Sequence, residues 1–276
     1  MAISAQDVNK LRKMTGAGMM DCKKALQEAN GDFDAAVTIL RKKGQKISSK
    51  RADRATTEGA VFINETEDAT QATLIALNCE TDFVAKNEDF VNLGQAVLKT
   101  ATDSAPADLA ALKALAIDGR SIDEHLTDLM GKIGEKIEVS SFEQVKADKV
   151  ASYRHANGKI GVLVALNGGN SDDVAQVGRD IAMQIAAMRP VSVDESGVPE
   201  DVKQREIEIG KEQARSEGKP ENILEKIAMG KLNKFYKENT LLHQQFVKDN
   251  SKNIKQVLAD VSKDLKVDTF KLVVIG

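Results

Sequence analysis

The chain has 276 residues, 42% hydrophobic and 29% charged, with a formal net charge of −3. That length accommodates roughly two domains with real cores, and the near balance of 39 basic and 42 acidic side chains excludes a surface that binds nucleic acid all over, which would be strongly basic. Aromatic residues make up only 4%, with no Trp, so the cores are to be built from Leu, Ile, Val, Ala and Met.

Residues 1–44 read as three short helices. Ser4 and Asp7 resemble a capping pair, and Val8, Leu11 and Met14 follow at helical spacing. Thr15-Gly16-Ala17-Gly18 breaks this helix, and a second runs from Met19 to Ala29 before Asn30-Gly31. Asp32 can cap a third, with Phe33, Ala36, Val37 and Leu40 on one stripe and Gly44 expected to end it. Residues 41–54 then carry Arg41, Lys42, Lys43, Lys46, Lys50, Arg51 and Arg54 against Asp53 alone. They read as a solvated linker or frayed helix end, because a nucleic-acid tail is usually denser in charge and terminal.

Residues 73–78 (TLIALN) nearly recur at 162–167 (VLVALN). Each copy follows a second strand-like run, 60–64 or 150–155, and Asn157-Gly158 is a strong hairpin turn. Each copy also precedes a helix, one with Phe90, Leu93 and Val97 on a face, the other with Val174, Val177, Ile181, Ile185 and Met188. The expectation is an α+β fold: two related subdomains, each a small antiparallel sheet covered by helices on one face. The corresponding division is 1–54, 55–140 and 141–276. Helical patterns at 108–115 and 122–134 lie between the copies. After Pro199 the chain becomes highly charged helix, interrupted by Gly218-Lys219-Pro220, and Leu224, Ile227, Ala228, Leu232 and Phe235 form one stripe. This reads as a projecting helical hairpin, 198–239. Alternating Phe270, Leu272 and Val274 predict a last strand that completes a sheet.

Motifs for covalent chemistry do not stand out. His125, His155 and His243 occur singly, without metal-ligand spacing, and there is no Walker loop, GxSxG elbow or CxxC pair. Neither metal nor cofactor is expected, and the chain is not expected to be an enzyme. Cys22 and Cys79 stand far apart, which suits a reducing cytoplasm. The first residues lack the basic and apolar regions of a signal peptide, and the most apolar run, 160–166, is far too short to span a bilayer. A soluble, cytoplasmic protein is expected. Asn167-Gly168-Gly169-Asn170 could offer backbone N–H groups to a phosphate but reads as a βα turn. Cys79 reads as a buried structural residue rather than a nucleophile.

The two copies part company at one place. After the shared strand the second continues as Gly168-Gly169-Asn170-Ser171, whereas the first has Cys79-Glu80-Thr81-Asp82-Phe83-Val84. Thr81 or Asp82 can cap the next helix, and Asp82 suits the positive end of its dipole. Phe83 would be a large apolar group at a corner. If the helix is regular, however, Phe83 precedes Phe90 by seven residues and faces the core. Periodicity leaves both open. Met19 and Met20 are adjacent, so at least one is exposed, and an exposed Met is adaptable contact surface.

On these residues the chain resembles the bacterial elongation factor Ts family, guanine-nucleotide exchange factors for elongation factor Tu. The resemblance is carried by residues 11–26 (LRKMTGAGMMDCKKAL) and 79–86 (CETDFVAK), with shorter matches at 132–135 (KIGE), 160–164 (IGVLV), 181–187 (IAMQIAA) and 230–235 (GKLNKF). It implies an N-terminal domain like a ubiquitin-associated domain, a two-subdomain core and a coiled-coil hairpin. It further implies that Thr81, Asp82, Phe83 and Val84 dislocate Mg2+ from elongation factor Tu, the aromatic wedging into its nucleotide domain. Arg12, Met19, Met20 and Lys23 match positions that contact the same domain, Ile133 and Gly134 match further contacts, and His155 matches a position near the interface. The implied partner is elongation factor Tu, GDP-bound or nucleotide-free, with no membrane or nucleic-acid partner. The hairpin is open to pairing with a second copy or touching a partner. Two departures stand out: Glu80 occupies a position where many members have Gln, and the chain stops at Gly276, soon after its last strand, whereas some members continue into a further helical module. Two rival readings, an RNA- or ribosome-binding translation adaptor using residues 41–54 and an enzyme based on Cys79, leave the duplicated core and its altered turn unexplained.

Overall fold

The computed structural model describes residues 3–276, and its first helices form where their caps place them. The Ser4 hydroxyl accepts from the Asp7 N–H (3.1 Å) while the Asp7 carboxylate accepts from the Ser4 N–H (3.2 Å), opening α1 (Ala5–Thr15). Next come α2 (Met19–Glu28) and α3 (Phe33–Arg51), the latter capped by Asp32, which accepts from the Ala35 N–H (3.0 Å). Val8, Leu11, Cys22, Ala25, Leu26 and Ala36 make a small common core. Met14, despite its helical spacing, is exposed.

The first half of the core contains the hairpin β1 (Glu58–Glu65) and β2 (Gln71–Cys79), then α4 (Asp82–Ala85), α5 (Glu88–Ser104) and α6 (Leu109–Ala114). A two-residue hairpin, β3 (Ala116–Ile117) and β4 (Arg120–Ser121), leads to α7 (Ile122–Ile133), and β5 (Ile137–Lys146) returns beside β2. The second half opens with the hairpin β6 (Lys149–Arg154) and β7 (Ile160–Asn167), followed by α8 (Asp172–Met188) and the helical hairpin α9 (Glu200–Ser216) and α10 (Leu224–Asn239). After β8 (Gln245–Phe246), β9 (Asp249–Asn253) and α11 (Ile254–Val261), β10 (Lys266–Val274) lies beside β7. The antiparallel sheets therefore run β1-β2-β5 and β10-β7-β6. Each half is a hairpin, a helical excursion and a return strand laid against the hairpin's second strand, so the duplication extends beyond the two strands and following helix from which it was read to the return strand.

The sheets pack against each other. Val61, Leu74, Ala76, Val145, Leu163, Ala165 and Ile275 fill the space between them. Helices cover the outer face of the first sheet around Phe62, Ile75, Leu77 and Phe90, and that of the second around Val162, Val164, Ile181 and Leu258. Helices thus cover one face of each sheet, as expected, while the other face is buried by the second sheet. Met188, read as part of the buried stripe of α8, is its last residue and is exposed.

Two further departures have clear causes. β5 escapes a period-2 reading because Ser140 is an extra residue between the pairs Leu77↔Val139 and Ala76↔Ser141. Ile137 and Val139 therefore share a face with Phe142, whereas Val145 turns to the other. α3 does not end at Gly44 but continues to Arg51, so most of residues 41–54 is regular helix. Gly44 is buried where α3 crosses α7: a Cβ on it would lie 3.0 Å from the Thr127 carbonyl oxygen, and one on Gly131 would lie 3.0 Å from the Gly44 Cα. A glycine in a helical pattern here marks close backbone approach rather than a stop.

In the helical hairpin Gly210 lies against Ala228, with Ala214, Leu224 and Leu232 buried in the seam. Lys211–Glu225 (2.7 Å) and Arg215–Glu221 (2.8 Å) bridge it. Among the described residues no helix is long and apolar enough to cross a membrane.

Candidate functional site

Residues 79–87 form a corner that is buried behind and bare in front. Cys79 ends β2 fully buried, and its thiol donates to the Thr81 carbonyl (3.1 Å). Thr81 caps α4, its hydroxyl oxygen accepting from the Val84 N–H (3.4 Å). The same hydroxyl donates to Glu135 Oε1 (2.8 Å), and the Thr81 N–H donates to Glu135 Oε2 (3.0 Å). Glu135 follows Gly134, which ends α7 with φ 86°, so one carboxylate binds the end of that helix to the turn by two charge-assisted bonds. Val84 is only 8% exposed and belongs to the first sheet's outer core. It anchors the turn from inside rather than presenting itself to a partner.

Phe83, by contrast, is 82% exposed. The seven-residue spacing to Phe90 does not bury it, because the helix is broken between them: α4 ends at Ala85, and Asn87 starts α5 afresh, its side chain accepting from the Asp89 N–H (2.9 Å). Asn-Glu-Asp at 87–89, a capping residue followed by two acids, is the sequence signal of that restart. Asp82 pairs with Lys86 (2.8 Å) at the surface. That bond, aided by the charge of Lys159, holds the Asp82 carboxyl below the usual carboxylate range.

The β6–β7 turn reaches the same corner through Glu58, which lies opposite Cys79 in the β1–β2 ladder. Lys159 pairs with Glu58 at the start of β1 (2.6 Å), and the Val61 N–H donates to the Gly158 carbonyl (2.8 Å). His155 begins this turn, exposed, its Nδ1 2.9 Å from the Tyr153 hydroxyl. Ile133 is half-buried against the first core, and open space surrounds Gly134, where an added Cβ would meet nothing within 4 Å.

Arg12, Met19, Met20 and Lys23 are all exposed on α1 and α2, Met19 by 54% and Met20 by 62%. Lys132 connects them to the corner: its side chain lies over Gly16, and its Nζ pairs with Asp89 in the first turn of α5 (2.6 Å).

Sequence reasoning missed Glu80, Glu135 and Arg51. Glu80 Oε1 accepts from the Arg51 guanidinium (2.6 Å) and from the Lys136 N–H (2.7 Å). Burial pushes this carboxyl up, but the Lys136 amide and Arg51 outweigh it and hold it below the usual range. No spacing in the sequence links positions 51, 80 and 135; only the fold brings them together.

Other chemical readings lose ground. Burial, followed by the nearby Glu135 carboxylate, pushes the Cys79 thiol up to about 12, so at pH 7.5 well under about one molecule in 10,000 carries the thiolate. Iodoacetamide at that pH is expected to leave Cys79 unmodified in the folded chain and to label it after denaturation, as read by intact mass; rapid native labelling would contradict this environment. The Gly168 N–H is already occupied by Asp148 Oδ2 (2.9 Å), an unsuitable neighbour for a phosphate. Among the described residues no three His, Cys, Asp or Glu side chains group to hold a metal. Within residues 41–54, Lys43 pairs with Asp21 and Arg51 with Glu80.

Fold and site together define an α+β protein built from a duplicated three-stranded unit, with an aromatic side chain displayed on a braced turn where one copy departs from the other. A family model described as Elongation factor TS matches residues 80–276, beginning at that turn. The chain is 55% identical over 269 residues to elongation factor Ts of Cytophaga hutchinsonii, covering 97% of each. It is 51% identical over 276 residues to that of Amoebophilus asiaticus, covering all of both. Against that of Porphyromonas gingivalis it is 48% identical over 272 residues, 98% of this chain and 97% of the relative. The chain belongs to the elongation factor Ts family and is a translation elongation factor.

Proposed function

We propose that the chain binds elongation factor Tu and promotes replacement of GDP by GTP, by dislocating the partner's Mg2+ and opening its nucleotide site. The observation that carries this reading is Phe83, 82% exposed on a turn fixed from behind by Val84, Thr81 and Glu135. An unanchored large apolar side chain so displayed is suited to a partner's pocket. Because the turn is already ordered in the free chain, little conformational entropy is lost when it docks.

The mechanism is linkage rather than covalent catalysis. A nucleotide on a G protein is held largely through its phosphates and the Mg2+ that bridges them to the protein. A factor that binds better to the form lacking Mg2+ and nucleotide must weaken nucleotide binding by the same ratio. Phe83 supplies apolar burial in the opened site, and Asp82 can add a charged hydrogen bond at its rim. Met19, Met20, Arg12 and Lys23 hold the complex without touching the nucleotide; Ile133, Gly134 and His155 flank the turn. Val84 acts from within, by fixing the turn.

The test is release of a fluorescent GDP analogue from elongation factor Tu as this chain is titrated in. A saturable acceleration is expected; a release rate unchanged at every concentration would refute the proposal. Met20→Ala is expected to raise the half-saturating concentration about 5- to 10-fold, the scale of one interface contact worth about 1 kcal/mol or slightly more, while leaving the maximal rate within about twofold.

A further inference from the structure

Glu80 has no part in the exchange reading above, yet it ties the two sets of contact residues together. Arg51, which binds its Oε1, is the last residue of α3, the helix that belongs to the N-terminal three-helix module carrying Met19 and Met20. Lys136, whose N–H binds the same oxygen, directly follows Glu135, the residue that clamps Thr81. Three segments therefore meet on one carboxylate at the residue immediately before the exposed turn. The side chains of Glu80 and Arg51 are 15% and 31% exposed, against 52% and 76% for Asp82 and Lys86. A charge-assisted pair withdrawn from water fixes geometry far better than one at the surface, and losing one partner leaves the other uncompensated.

We propose that Arg51, Glu80 and the Lys136 amide form a latch that sets the position of the 81–84 turn against α3. Through it, the N-terminal module and Phe83 meet one partner as a single rigid body. Glu80 and Arg51 are positioning residues: they act through Thr81 and Phe83 and need not touch the partner. The Gly44–Gly131 crossing holds α3 in mid-length, and the latch holds its end. A glutamine at position 80 can still offer one oxygen to both donors but lacks the charge, so it makes a weaker latch. The proposal rests on the exchange reading for its consequence, and on the free chain alone for its structural content.

Two measurements separate these. Amide hydrogen exchange of the free chain reads the turn, and GDP release from elongation factor Tu at saturating concentration reads the consequence. Glu80→Ala is expected to speed exchange at the Thr81, Val84 and Ala85 amides about 10-fold, with mid-α5 amides unchanged. It is also expected to lower the maximal release rate about 10-fold, the scale of a displacement of less than about 1 Å in a positioned group. The half-saturating concentration is expected to move less than about threefold. Glu80→Gln and Arg51→Met fall between Glu80→Ala and wild type, while Arg51→Lys restores most of the rate. Should Glu80→Ala not fold, Arg51→Met reads the same quantities from the other half of the pair. Wild-type exchange at the turn in these variants overturns the latch. So does a loosened turn with an unchanged saturated rate, where Phe83→Ala lowers that rate. A turn loosened by Glu80→Ala, in a chain whose wild type does not accelerate GDP release, upholds the latch and sinks the exchange reading instead.

Discussion

Replacing Phe83 with alanine is expected to lower the maximal rate of GDP release from saturated elongation factor Tu about 30-fold or more, while the free chain melts as before. The two halves of this expectation come from the same observation. Phe83 is 82% exposed and has no core to leave, so its truncation belongs with surface substitutions that shift stability by no more than about 0.5 kcal/mol. In the complex it would fill a pocket, where truncating an aromatic anchor costs about 2 kcal/mol or more, and every 1.4 kcal/mol is tenfold. Under the proposed mechanism that pocket would open as Mg2+ leaves, and the lost contact would be one made only along the path to nucleotide release. The deficit should therefore appear in the maximal rate rather than in the half-saturating concentration. Stopped-flow release at saturation and a thermal melt read the two quantities separately. An unchanged saturated rate would remove Phe83 from the mechanism, and a large drop in melting temperature would mean that its side chain supports the fold.

The standing of Phe83 shows how far sequence could carry the site. The repeat singled out this turn because 79–84 has no counterpart in the plain Gly168–Ser171 turn, and that comparison uses only local identity. Its orientation was not legible from periodicity, since a heptad spacing to Phe90 has meaning only within one unbroken helix. The break at Lys86–Asn87 decides the matter. What braces the turn was less legible still. The bonds from Thr81 to Glu135 and from Glu80 to Arg51 join residues 54 and 29 apart in the chain, and nothing in the composition of either segment announces the other. Charges such as Arg51 look solvated until the fold gives them a partner.

The fold divides along the same line. Elements with local signals, such as the Ser4–Asp7 capping pair and the Asn157-Gly158 turn, are where the sequence puts them. Elements defined by what they pack against are not. β5 hides behind the extra residue at Ser140, and α3 passes through a glycine that locally signals termination. In both cases the deciding interaction, the β2 ladder or the backbone of α7, is remote in sequence.

The sheet-on-sheet interior gives a large expected loss of stability. Gly161 lies in β7, where an added Cβ would sit 2.4 Å from Val61 Cγ1 and 2.7 Å from Leu74 Cδ1, side chains of the opposite sheet. Both neighbours are fully buried, so neither can swing into solvent, and a larger side chain must push the sheets apart. Gly161→Val is expected to destabilise the chain by about 2–3 kcal/mol, the upper part of the range for overpacking a close-packed core, read as a lowered urea midpoint with little change in slope. Gly161→Ala should show the same effect to a lesser degree, since it introduces only the first of the clashing carbons. The consequence reaches the functional corner, because the β6–β7 turn that precedes Gly161 carries Lys159 and the Gly158 carbonyl bonded to β1. A shift of β7 therefore moves the β1 side of the Phe83 turn as well. In conditions where the variant remains folded, Gly161→Ala is expected to slow saturated GDP release modestly, by about two- to threefold. A Gly161→Val variant as stable as wild type would show that the two sheets do not approach as closely as the Val61 and Leu74 contacts require.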